Sequence, residues 1–116
     1  MTTIMKREKI NVIVKLPGKP ACIREIGATL EDYQNEVCGD IESIPFPGLD
    51  DVDIVVNDMG KLMGLQPNII IPEYGDIIMG RIFIVGVDEN TCLWKSIQPE
   101  RVDEILSYLG KNSINK

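Results

Sequence analysis

The residues best suited to chemistry crowd into one stretch, Asn57-Asp-Met-Gly-Lys-Leu-Met-Gly-Leu-Gln-Pro-Asn68, with Tyr74 and Asp76 shortly after it. Asn57 and Asn68 each offer donors and acceptors, and Lys61 offers a positive charge for an anionic ligand. Gly60 and Gly64 carry no Cβ, so their N–H groups can approach a phosphate closely. With Tyr74 and Asp76 these residues make a candidate polar binding pocket. Plain turn chemistry accounts for the same residues, since Asn caps turns and Gly accepts positive φ. The stretch is not a P-loop, which requires G-x-x-x-x-G-K-[ST]. Here Gly60-Lys61 is followed by Leu62.

Other chemistries are narrowed by composition. The 116 residues contain no histidine, which removes the usual base near neutral pH and every histidine-dependent triad. No nucleophile motif or paired-carboxylate motif stands out, so no catalytic residue is assigned. Asp50, Asp51 and Asp53, with Asp40 and Glu42, form an acidic group without the spacing of an EF-hand, and they read as solvated turn residues. No metal ligand set and no cofactor are expected. Cys22, Cys38 and Cys92 are odd in number, far apart and without a CxxC pair. They read as partly buried thiols in a reducing compartment. Eighteen acidic against twelve basic residues give a formal charge of −6, which argues against broad nucleic-acid binding. Those carboxylates are scattered among basic residues rather than ordered as in a DNA mimic.

The N-terminus, Met1 to Lys9, lacks the apolar core of a secretory signal. No apolar run approaches the ~20 residues of a membrane span. A cytoplasmic protein, making no membrane contact, is the expectation.

The elements that must position the central stretch follow from eighteen isoleucines set in short runs between Gly, Pro and Asp. β-branched side chains suit a pleated, half-buried surface. Strands are expected at Lys9–Leu16 and Ala21–Ile26, around a Pro17-Gly-Lys-Pro20 turn. Others are expected at Asp40–Phe46, Val52–Asn57, Asp76–Val87 and Thr91–Lys95, with a short apolar segment at Asn68–Pro72. Gly80 inside the long Asp76–Val87 run suggests a bulge or a close backbone approach. Thr29 reads as the N-cap of a helix to Val37, stopped by Gly39. Pro99 opens a final helix whose Val102, Ile105, Leu106 and Leu109 share one face, with Gly110 as its stop. Residues 112–116 are expected to fray. The chain reads as one domain, 1–116, with an ordered core at about 9–110. Its class is α+β: a mostly antiparallel sheet with one mid-chain helix and one C-terminal helix.

Four segments carry a resemblance: Val14-Lys-Leu-Pro-Gly-Lys19, Val37-Cys-Gly-Asp-Ile-Glu-Ser-Ile-Pro45, Val56 to Asn68, and Asp76-Ile-Ile-Met-Gly-Arg-Ile-Phe-Ile-Val-Gly86. The chain resembles the small family catalogued as domain of unknown function 3846, over about Ile10 to Leu109. Asp40, Asp58 and Gln66 are mild departures from its pattern. The resemblance implies an origin in phages, mobile elements or Gram-positive bacteria, and it implies no activity.

The leading expectation is an accessory protein that works by binding, without catalysis. Its partner would be a host protein, in a counter-defence role, or a small anionic, nucleotide-like ligand held at Asn57, Gly60, Lys61, Asn68, Tyr74 and Asp76. A small nucleotide-processing enzyme and an acidic inhibitor of a nucleic-acid-acting defence enzyme are the alternatives. Exposed sheet edges in so short a chain also invite pairing with a second copy.

Overall fold

The computed structural model describes residues 8–114. Most of the stretch scanned for a secretory signal, residues 1–7, and the last two residues, 115 and 116, lie outside the described part.

The β-branched runs do form strands. β1 (Lys9–Lys15) and β2 (Cys22–Gly27) pair as an antiparallel hairpin. Helix α1 (Leu30–Val37) starts at Thr29, whose hydroxyl accepts from the Asp32 backbone N–H while the Asp32 carboxylate accepts from the Thr29 N–H. This reciprocal capping box satisfies two amides at the helix start. β3 (Ile41–Pro45) and β4 (Val52–Asn57) make a second hairpin. A turn-rich segment leads to β5 (Pro67–Ile71), a single 3-10 turn and β6 (Asp76–Met79). β7 (Ile82–Val87), the short β8 (Trp94–Lys95) and helix α2 (Pro99–Lys111) complete the order.

The main sheet is antiparallel in the order β2-β1-β7-β4-β3, with β8 pairing to β7, while β5 and β6 form a separate two-stranded sheet. β7 is therefore the central strand, joining the two hairpins. The period of two along each strand divides the core. Val12, Val14, Val55, Phe83 and Val85 pack with Val37 and Tyr33 of α1. Ile13, Ile54, Ile82 and Ile84 pack with Ile69, Ile71 and Ile78 of the second sheet and with Ile105 and Leu109 of α2. The fold is α+β, with a mostly antiparallel sheet, one mid-chain helix and one C-terminal helix.

Several local expectations are corrected. Asp76–Val87 is two strands in two sheets, because Gly80 takes φ +86° and turns the chain between them. Its missing side chain matters as well: a Cβ there would lie 2.7 Å from Leu65 Cδ1. Cys38, not Gly39, holds the left-handed position ending α1, at φ 64°. Gly39 is instead needed for space, since its Cβ would meet Asn57 Nδ2 at 2.7 Å. Gly110 lies inside α2, which runs on to Lys111. Asn112 closes it by donating from Nδ2 to the Tyr108 carbonyl at 2.9 Å. Within the tail expected to fray, residues 112–114 are held: Ile70 N donates to Asn112 O and Ile114 N to Asn68 O, both at 2.9 Å. They flank β5 as a partial third strand. The strand expected from Thr91 is only Trp94–Lys95, because Asp88 Oδ1 accepts from the Asn90 and Thr91 amides and Cys92 takes φ 61°. All three cysteines are exposed, not partly buried, since they stand on the edge strand β2 and in two turns that the core does not reach.

Candidate functional site

Asn57 ends β4 and is buried. Its Nδ2 donates to Val37 O at 3.0 Å and Cys38 O at 3.4 Å, and its Oδ1 accepts from Met59 N at 2.8 Å. One amide thus caps the last carbonyls of α1 and starts the turn that follows. The turn winds back through Gly60 N to Asn57 O, Met63 N to Met59 O and Leu65 N to Gly60 O. Gly60 lies against the edge of β6, where a Cβ would sit 2.8 Å from the Met79 carbonyl oxygen. Lys61 then reaches across and pairs with Asp76 at the start of β6.

Four of the six predicted site residues, Asn57, Gly60, Lys61 and Asp76, therefore line one depression of about 130 Å³. Glu42, Asp58, Leu62 and Ile77 share its wall. Three carboxylates surround one ammonium that is already paired. The local balance is acidic, which opposes an anionic ligand. The Asn57 amide is spent on backbone partners.

The other two predicted residues are elsewhere. The Tyr74 hydroxyl donates to Pro45 O at 2.8 Å, tying the second sheet to the end of β3. Asn68 is fully buried beside Lys15. Asn68 Nδ2 donates to Lys15 O at 2.9 Å and Gly80 O at 2.7 Å, while its Oδ1 accepts from Lys15 Nζ at 3.0 Å.

Lys15 escapes notice in the sequence, yet it is among the largest fully buried side chains of the described residues. The signal was parity: Lys15 falls on the same strand face as Ile13, which points into the core. Its remaining identified partner is its neighbour's carbonyl, Leu16 O, at 3.0 Å. Burial pulls its pKa below the ordinary 10.5. Glu36 was missed too. It is buried on α1, and it takes Arg24 of β2 at 3.0 Å and Arg81 at 3.4 Å.

Among the described residues no cluster of three or more Cys, Asp or Glu is placed to hold a metal ion. No described helix is long and apolar enough to cross a membrane. No curated protein and no solved structure matches the chain. A family model, "Domain of unknown function (DUF3846)", matches residues 10–110, which take in nearly all of both sheets and of α2. By that match the chain belongs to the DUF3846 family.

Proposed function

We propose that the protein acts by binding another protein, as a phage or mobile-element accessory in the cytoplasm of its bacterial host. Its docking face is the 58–66 turn together with the outer side of the β5–β6 hairpin. The observation that carries this reading is where the exposed apolar side chains fall. Among the described residues, six of the nine large exposed ones, Met59, Leu62, Met63, Ile70, Tyr74 and Ile77, lie in this one part of the chain, so the exposure is concentrated rather than scattered. Leu62 and Ile77 share the wall of the depression, and Ile70 stands directly across from Ile77 in the hairpin. An apolar centre with a polar rim is the layout of a protein interface.

The depression itself is smaller than the ~300 Å³ at which small-molecule sites begin. Its Glu42, Asp58 and Asp76 rim suits a basic partner, such as a host enzyme that handles nucleic acid. Capture from host lysate tests the proposal. The double variant Leu62→Asp/Ile77→Asp should lose a protein that the parent and an Ile23→Asp control both retain, and the captured protein should release as salt rises. Its melting temperature should stay close to the parent's, because Leu62 is 82% and Ile77 43% exposed. Equal capture by parent and double variant would remove this face from the function.

A further inference from the structure

A cavity of about 430 Å³ lies between the β1–β2 turn and the end of α2. Its lining includes Lys15, Lys19, Pro20, Ala21, Leu106 and Ser113, with no carboxylate among them. It shares no residue with the Leu62–Ile77 depression.

One lining residue is unusual. Lys15 is only 1% exposed. Burying an ammonium without a counter-ion is expensive, and such a group normally pairs with a carboxylate or is left outside. Here both identified acceptors, Leu16 O and Asn68 Oδ1, are neutral. They use two of the three protons an ammonium can donate. Asn68 is held in orientation by its own two bonds to Lys15 O and Gly80 O, so its oxygen is fixed toward the amine. The last turn of α2 adds the partial negative charge of a helix C-terminus, which falls short of a full counter-charge. Lys19 brings a second positive group to the same cavity. Pro20, Ala21 and Leu106 add apolar surface to the wall, beside Gly18, Gly110 and Ser113.

We infer that this cavity binds a small organic anion. Its carboxylate or phosphate head meets Lys15 and Lys19, and its apolar remainder lies against Pro20, Ala21 and Leu106. The volume is within the range of small-molecule sites. The bound anion supplies the counter-charge that the cavity's described lining lacks, through a charge-assisted hydrogen bond.

The test is a pair of amide NMR titrations of the whole protein, one with butyrate and one with inorganic phosphate. Butyrate should shift Gly18, Lys19, Leu106, Gly110 and Ser113 in a saturable way, and phosphate should shift the same amides more weakly. Lys15→Met should weaken butyrate by about tenfold or more, the loss of one charge-assisted contact. Its amide spectrum reports whether it folds. Lys19→Ala, a change at an exposed side chain, should weaken butyrate by a smaller factor and keeps the test open if Lys15→Met does not fold. Absence of shifts at these residues with butyrate, tighter binding of phosphate than of butyrate, or full butyrate affinity in either variant would overturn the assignment and leave Lys15 a purely structural cation.

Discussion

Asn68→Ala is expected to lower the unfolding free energy by about 3–5 kcal/mol, the range for stripping a partner from a buried charge. The substitution strands three groups at once: the Lys15 ammonium and the carbonyls of Lys15 and Gly80. Each loses a partner in a place that water does not fill, since Asn68 is 0% exposed. A domain of this size has roughly 5–15 kcal/mol to lose. The variant should therefore show an early urea midpoint with an unchanged slope. Lys15→Met should cost clearly less, because it removes the buried charge along with its hydrogen bonds and leaves only the Asn68 and Leu16 oxygens short of a donor. A larger loss for Lys15→Met than for Asn68→Ala would show that the amine stabilises the fold.

The same lysine gives the stability a pH signature. Its pKa is lowered in the folded protein, so the unfolded chain holds the proton more firmly. Stability then rises with pH, starting near the lowered pKa and continuing toward the ordinary 10.5. Two tyrosines act the other way. Burial raises the pKa of Tyr33, and burial together with a 2.6 Å hydrogen bond to Glu73 raises that of Tyr108. Their contributions are present below the ordinary 10.0 and are lost as pH climbs beyond it. The rise due to Lys15 is thus to be sought below about pH 10, from denaturation midpoints, and it should be absent in Lys15→Met. A parent that shows no such rise would mean the amine keeps its charge at no cost.

Asn57→Ala should cost about 2–4 kcal/mol, by the same logic of stranded backbone groups. Two carbonyls at the end of α1 and the Met59 amide lose their partner. The effect should also be local. Amide exchange should quicken at Gly39, Met63 and Leu65, whose bonds depend on the α1 end and on the turn that Asn57 starts. Asn57→Asp should be worse than Asn57→Ala, because it keeps the acceptor for Met59 but turns a negative oxygen toward two carbonyls. Uniform loss of protection across both sheets, with no extra effect in the turn, would deny Asn57 its role as the turn's anchor.

Local signals in the sequence were reliable wherever one residue type has one physical use. Thr29 at the N-cap of α1 is such a case, and so is Pro99 at the first turn of α2. The alternating Ile and Val runs placed the strands and the class of fold. Glycines were harder, because a sequence shows that a side chain is missing without showing whether conformation or space requires it. Gly80 needed both and broke a run of isoleucines into two sheets, while Gly110 needed neither and let α2 continue. The predicted polar site separated for a related reason. Asn57 and Asn68 are alike in sequence, but β4 turns one toward α1 and β5 sets the other against Lys15. Which face a residue takes depends on the partner strand, and pairing across 53 positions of chain, as between Lys15 and Asn68, leaves no local trace.

The placement of β7 bears on how the chain comes off the ribosome. β1 and β4 never touch as neighbours; each pairs with β7, which is made after both. A nascent chain that has not yet released residues 82–87 carries two hairpins, β1–β2 and β3–β4, with no strand to bridge them. Isolated hairpins are marginal in water. Their valine- and isoleucine-rich edges stay open, within reach of chaperones or of another copy, until β7 is made and closes the sheet.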